Sequence, residues 1–426
     1  MSSGFRRSLG LYIEPLHIYN VKLLLFSFTL LAIQMGFLSW YTPVLVNEWF
    51  YYWAPVVYSL LFWDDALFTL ISGPLADAWG RKRLIVIGTS FYPIGTLLLI
   101  LGMVLKILGL GVMVATMLVA LGLVLALGTS AVASPAASAL LMESVDADKR
   151  ATANSMFFLV ENIVLSIGSI LFAYLLNAFG VLKTFILIFA LSTLATISRM
   201  FLRETFTETT GGTKLIEFLF IMKRNVISGF RYSPIRALLI LSLVIGVGHG
   251  IIFFVTPLYL IQNLGFSEIA IGSIYALIPL LRIFLSPISG YVGDRKPYLS
   301  LTIGTCISGF LYLVLVVPLE NRWIRSMGVV VASALAMFEG VAYSKLLADF
   351  SEQSERATFF GLSGFLFSVG MSIGSLLGMC YYWINELPII ISSAILASTI
   401  ILIKEIQRSQ KFTNTRVANQ NNSQEG

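Results

Sequence analysis

The sequence predicts an all-α membrane protein, with twelve transmembrane helices in two pseudo-symmetric six-helix bundles. Three observations predict this fold class: composition, the spacing of apolar runs, and an internal repeat. Of 426 residues, 57% are hydrophobic and 12% are charged, with mean hydropathy +0.87. Soluble domains carry roughly 45–50% apolar and about 25% charged residues. With half the usual charge, a water-facing surface cannot be covered. That excludes a cytosolic enzyme, a nucleic-acid binder and a disordered scaffold. Twelve helices of about 20 apolar residues need roughly 240; 57% of 426 is about 243. No large water-soluble domain fits in the remainder.

The apolar runs fall at 23–46, 52–75, 84–105, 110–141, 152–178, 181–201, 237–261, 269–292, 299–318, 324–347, 358–382 and 387–403. We number them as spans one to twelve. The predicted domains are an N-terminal six-helix bundle (1–201), a linker (202–236), a C-terminal six-helix bundle (237–404) and a disordered tail (405–426). The linker carries Arg203, Lys214, Lys223, Arg224, Arg231 and Arg236. Its amphipathic segment 215–227 is expected to lie on the membrane surface. So is the mixed basic and apolar stretch 5–22. No small-residue cleavage motif follows the first run, which therefore reads as a retained span. Cys306 and Cys380 lie inside apolar runs and read as small buried hydrophobes. With only His17 and His249 beside them, no metal site is expected.

Basic residues set the orientation. With both termini cytosolic, cytosolic segments hold 22 of the 28 Lys and Arg, and outer loops hold Lys106, Lys183, Arg322 and Arg325. Arg282 and Lys345 lie within spans. Arg199 is counted with the cytosolic linker.

The halves repeat. Arg150-Ala151-Thr152 returns as Arg356-Ala357-Thr358, Ser166-Ile167-Gly168-Ser169 as Ser372-Ile373-Gly374-Ser375, and Glu143 as Asp349, all 206 positions on. Gly73 and Asp77 return as Gly290 and Asp294, 217 positions on. Shared offsets at the same topological places indicate two six-helix repeats.

Residues 73–83 read Gly-Pro-Leu-Ala-Asp-Ala-Trp-Gly-Arg-Lys-Arg, in the loop after span two. A shortened copy, Gly290-Tyr-Val-Gly-Asp294-Arg-Lys296, follows span eight. This motif resembles the major facilitator superfamily signature, and helix count, repeat and orientation extend the resemblance over the whole chain. Gly73 permits close helix approach and Gly80 a tight turn. Asp77 can accept from N–H groups at a neighbouring helix start; in the family that helix is span eleven. Arg81 can reach Glu143, and Arg295 can reach Asp349. The resemblance implies a conformational latch that holds the cytosolic side shut, built from Gly73, Asp77, Gly80, Arg81, Glu143, Arg150, Gly290, Asp294, Arg295, Asp349 and Arg356. The alternative is a simple positive-inside anchor.

Charges at mid-bilayer cost at least about 2.5–3.5 kcal/mol, so each needs a reason. Asp64, Asp65, Glu161, His249, Arg282 and Glu339 each lie ten to thirteen positions from a cytosolic span end. That is roughly 15–20 Å deep, where such transporters hold substrate and coupling ions. Glu161 is expected to pair with Arg282, as a gating pair or a structural one. Adjacent Asp64 and Asp65 point about 100° apart and cannot share an environment. His249 is either a core histidine or a proton or substrate contact. Lys345 is expected to snorkel to the cytosolic surface. Gln34, Thr129, Ser130 and Tyr343 are candidate cavity contacts, or helix-packing residues.

Within the family, proton-linked drug antiporters carry an Arg in span four and a Gly-Pro element in span five. Residues 112–130 contain no Arg, and span five has Gly168 without a Pro. The Pro-Glu-Ser-Pro element of sugar porters is replaced by Arg203-Glu204-Thr205-Phe206. The resemblance implies a secondary active transporter, not an enzyme, moving a small organic solute across the cell membrane by alternating access. Proton coupling is expected, with no cofactor beyond the proton gradient; sodium coupling is the variant. The expected partners are a small-molecule substrate and membrane lipids, with no nucleic acid, and the chain is expected to be a monomer. The alternatives are a non-transporting receptor or sensor on the same fold, and an uncoupled or lipid-type facilitator.

Overall fold

In lipid, a spanning segment must satisfy its backbone internally, and apolar runs of this length do so as helices. The computed structural model describes residues 17–128, 130–146, 150–205, 232–351 and 356–422, which contain helices and turns but no strand. Ten helical stretches are long and apolar enough to cross a membrane. Two of these, Tyr19–Thr69 and Met156–Met200, have 51 and 45 residues. At 1.5 Å per residue they reach about 77 and about 68 Å, over twice a hydrocarbon core of about 30 Å. The first is broken by a 3₁₀ turn at Tyr51–Trp53. The second is broken at Gly180, whose φ of 79° suits a residue without Cβ. Each therefore accommodates two spans, and the twelve apolar runs all find a helix.

Spans one to three are the helices Tyr19–Phe50, Ala54–Trp79 and Arg81–Ile107. Span four holds Val112–Leu123, a π-turn at Val124–Gly128, and Ser130–Ser144. Spans five and six share Arg150–Met200. Spans seven and eight are Ser233–Gln262 and Glu268–Arg295. Span nine runs from Pro297–Thr302 through a π-turn at Ile303–Ile307 to Ser308–Tyr312. Span ten is Arg322–Leu335 and Met337–Phe350. Span eleven begins with Arg356–Leu377. Span twelve, Leu387–Asn422, corrects the expectation of a disordered tail after Lys404. After Pro388 it meets no Pro or Gly, and Lys404, Glu405, Gln407 and Arg408 all favour helix. Of the two segments expected on the membrane surface, 5–22 and 215–227, residues 5–16 and 215–227 lie outside the described residues, and residues 19–22 form the start of span one.

The chain forms two compact units. One comprises Met1–Leu215 with Pro257–Ile283, the other Ile216–Thr256 with Phe284–Gly426. In the first unit, spans one and five cross at backbone contact. A Cβ added to Gly36 would overlap the Leu165 carbonyl, and one added to Gly168 the Ile33 carbonyl. Phe37 stacks on Phe172 at 5.6 Å and on Tyr41 at 4.7 Å. Span five also holds span eight: Ser169 Oγ donates to the Gly272 carbonyl at 2.9 Å, and Ser166 Oγ to that of Ala276.

In the second unit, spans seven and eleven repeat the crossing. A Cβ at Gly374 would overlap the Val247 carbonyl, and one at Gly370 the Leu243 carbonyl. Gly374 is the repeat mate of Gly168, so both halves use one packing device. Ile107, Phe284 and Trp383 lie exposed on the outside, as lipid-facing side chains do. Exposed Tyr51, Tyr52 and Trp53 cluster at the turn between spans one and two. Trp and Tyr favour the membrane–water boundary.

Candidate functional sites

The first unit carries a half-open cavity of about 580 Å³, within the ~300–1,000 Å³ range of small-molecule sites. Spans one to six all contribute. Its walls are mostly apolar, with Leu24, Phe28, Leu31 and Met35 facing Phe157, Phe158 and Leu165. Among the described residues, three charged side chains line it: Asp65, Glu161 and Arg199.

Asp65 and Asp64 separate as the helix geometry requires. Asp65 lines the cavity. Asp64 does not, and its buried Oδ2 has no hydrogen-bond partner among the described residues. Glu161 is half-buried, and Arg282 of span eight acts on its carboxylate electrostatically. Gln34 is buried, and its Nε2 donates to the Leu30 carbonyl at 3.2 Å. It does not line the cavity. Thr129 and the side chain of Ser130 lie outside the described residues.

Arg199 corrects the sequence reading. It is 5% exposed, and its guanidinium turns into the bundle. Nε donates to Ser27 Oγ at 3.0 Å and Nη1 donates to Thr89 Oγ1. Each hydroxyl gives its own hydrogen to its helix backbone, at Leu24 and Ile85, leaving lone pairs for the guanidinium. A guanidinium keeps its charge at any working pH. Burying an ion costs several kcal/mol unless a counter-charge accompanies it. A signal was present: position 199 lies inside the apolar run 181–201. Its nearness to the run's end masked the burial.

One end of this unit brings together two of the residues named for the latch. Arg81 reaches Glu143, with Nε and Nη2 at 3.3 and 3.2 Å from Oε1. Gly80 takes φ 92°, ending span two and turning the chain into span three. Two residues missed from the sequence complete the cluster. Glu204 caps span three, its Oε1 and Oε2 accepting from the N–H groups of Arg81 and Lys82 at 3.1 and 3.0 Å. A carboxylate there offsets the helix dipole. Asn20 grips the Arg203 backbone on both sides, accepting its N–H at 2.9 Å and donating to its carbonyl at 3.0 Å. Thr205 Oγ1 donates to Glu143. The residues read only as a missing sugar-porter element thus form part of the latch cluster. Gly73 and the side chains of Asp77, Arg150 and Arg356 lie outside the described residues.

In the second unit the repeat of that latch differs from expectation. Arg295 does not pair with Asp349. Its Nη1 donates to Tyr291 Oη at 2.7 Å, and its guanidinium stacks 4.4 Å from that ring. Asp349 instead accepts from Lys345 Nζ at 2.9 Å. An i,i+4 partner on the same helix is already in reach and costs less ordering than a partner on another element. Lys345 thus lies near the span end, as expected of a snorkelling side chain. Asp294 is exposed, and Gly290 meets no neighbour within 4 Å.

Deeper in this unit, His249 and Glu339 meet. Nε2 of His249 lies 3.3 Å from Glu339 Oε2, and both residues are buried. Phe253 and Phe367 flank the imidazole at 5.6 and 6.1 Å. Span ten is interrupted by a turn at Ala336, whose backbone stays right-handed helical (φ −56°, ψ −21°), and Glu339 follows it in Met337–Phe350. Gly304 of span nine lies directly on the Glu339 backbone, where a Cβ would collide. Tyr343, one turn on, is a packing residue: its Oη donates to the Leu238 carbonyl at 3.0 Å and accepts from Ser363 Oγ at 2.8 Å.

Twelve apolar spans, a repeated helix crossing and ionisable groups buried within both units define a polytopic membrane protein of the transporter type. The family model of the Major Facilitator Superfamily matches residues 18–375, and the chain belongs to that superfamily. Its curated relatives include the class D tetracycline resistance protein of Salmonella ordonez, 26% identical over 40% of this chain and 44% of the relative. Another is the class B protein of Escherichia coli, 26% identical over 34% and 37%. The chain thus aligns with less than half the length of these relatives. Among solved structures, the POT family transporter PepTSo superposes with TM-score 0.71, over 93% of this chain and 99% of its own, at 13% identity. A human organic anion transporter superposes with TM-score 0.60, over 90% and 98%, at 13% identity. At such identities the likeness is one of fold.

Proposed function

We propose that this protein is a secondary active transporter that moves a small organic solute across the cell membrane by alternating access of its two halves. The observation that carries the reading is the cavity of about 580 Å³, lined by Asp65, Glu161 and Arg199 within membrane-spanning helices. Intramembrane ionisable groups are costly and mark substrate or ion pathways. In this reading both termini are cytosolic, residues 202–236 link the halves on that side, and the monomer is the working unit. The Arg81–Glu143 cluster, with Asp77, holds the cytosolic face closed.

Proton coupling is part of the proposal. The carriers are Glu161, Asp64 or Asp65, and Glu339 with its partner His249. Arg282 modulates Glu161. The proton gradient is the energy source and no cofactor takes part.

The test is reconstitution of the full chain in liposomes that enclose a pH-sensitive dye. Tetracycline is the first compound to add, on the names of the relatives, followed by amino acids, dipeptides, organic acids and amines. Solute uptake with proton movement supports the proposal. Uptake that is identical with and without a pH gradient leaves an uncoupled facilitator. Binding without any flux leaves a receptor.

A further inference from the structure

Arg199 is a buried cation with an incomplete set of partners. Among the described residues its guanidinium donates to the neutral hydroxyls of Ser27 and Thr89 alone. Among the described residues no carboxylate lies within salt-bridge distance of it, and Nη2 makes no hydrogen bond. Ser27 and Thr89 each lie eight positions from the first residue of their helices, Tyr19 and Arg81. The guanidinium therefore lies about 12 Å along the bundle from those helix starts. Arg199 borders the cavity, so an anion in the cavity can reach it.

The other charges of the cavity have different surroundings. Glu161 lies in the field of Arg282. Asp65 lines the cavity from span two, next in sequence to Asp64. The walls of the cavity include Leu24, Phe28, Tyr92 and Phe157. Arg forms strong charge-assisted bonds to carboxylates, which its flat, delocalised cation suits better than an ammonium does.

We infer that the solute carries a carboxylate, which docks on Arg199 while its apolar or aromatic body fills the cavity between spans one and five. This rests on the transport reading and names its substrate class. Ser27 and Thr89 are positioning residues that aim the guanidinium.

The test uses the full purified chain in nanodiscs and in liposomes. The probes are benzoate, phenylacetate and 4-phenylbutyrate, their amides, and benzylamine and 4-phenylbutylamine. At least one carboxylate is expected to bind at least tenfold more tightly than its amide, to raise the melting temperature, and to enter liposomes. Arg199→Gln is expected to lose at least tenfold in that affinity, and Arg199→Lys to retain part of it. If Arg199→Gln does not fold, the wild-type preference and the graded loss in Ser27→Ala and Thr89→Val decide.

Equal binding of carboxylate and amide overturns the inference, as does binding by no carboxylate or full carboxylate affinity in Arg199→Gln. Amine uptake unaffected by Arg199→Gln also overturns it, while leaving the transport proposal intact. Arg199-dependent carboxylate binding without flux does the reverse: the anion site holds and the transport proposal fails.

Discussion

Nε2 of His249 lies 3.3 Å from Oε2 of Glu339, inside an aromatic enclosure formed by Phe253 and Phe367. Neither group has bulk water to replace the other. Glu339→Gln keeps the shape and a hydrogen-bond acceptor but cannot take up a proton. It is expected to lower gradient-driven uptake at least tenfold while solute exchange at equal pH continues. His249→Ala leaves a buried carboxylate without its partner and is expected to cost about 1–3 kcal/mol of stability. Uptake assays with and without a pH gradient, and thermal melting, check the two outcomes.

The Arg81–Glu143 pair is partly exposed, so the contact is worth only about 0–1 kcal/mol. A conformational equilibrium near balance still responds to that much. Glu143→Gln and Asp77→Asn are expected to shift the population from cytosol-closed towards cytosol-open. Spin-label distances across the Arg81 end of the two halves should lengthen. Unchanged distances in both variants would leave the cluster as an anchor.

Glu204 links the end of span six to the start of span three through the N–H groups of Arg81 and Lys82. Glu204→Ala removes a helix cap, which typically costs about 1 kcal/mol. The melting temperature should fall, and hydrogen exchange at 81–84 should rise before that of the rest of span three. Protection unchanged at those residues would show that the cap carries no weight.

The crossings at Gly168 and Gly374 leave no room for a side chain. Overpacking of this kind costs typically 1–3 kcal/mol. Gly168→Val and Gly374→Val are expected to lower the melting temperature by similar amounts, because the repeat places both against a carbonyl of the partner helix. Gly290→Ala, with open space around it, is expected to have little effect. Size-exclusion profiles and melting of the purified variants check this.

The candidate site was legible in parts. Asp65, Glu161, Arg282, His249 and Glu339 stood out as charges within apolar runs, because lipid tolerates few of them. Gly80, Arg81 and Glu143 were recoverable from motif spacing. Arg199 was misassigned to the linker, since proximity to a run's end says nothing about which way a long side chain turns. Glu204 and Asn20 carried no signal, because capping bonds between residues more than a hundred positions apart exist only once the helices pack.

The sequence by itself determined the helices, their membrane setting and the twofold repeat. These follow from run length, from the cost of an unpaired backbone in lipid, and from matched residues at fixed offsets, all of them local or periodic. Only the tertiary structure decided that Asp349 takes Lys345 rather than Arg295, that Gly304 packs on the Glu339 backbone, and that Arg199 borders a cavity while donating to the hydroxyls of Ser27 and Thr89. Partner choice among charges, and which backbones touch, depend on distances between elements far apart in the chain. No pattern along one segment encodes those distances.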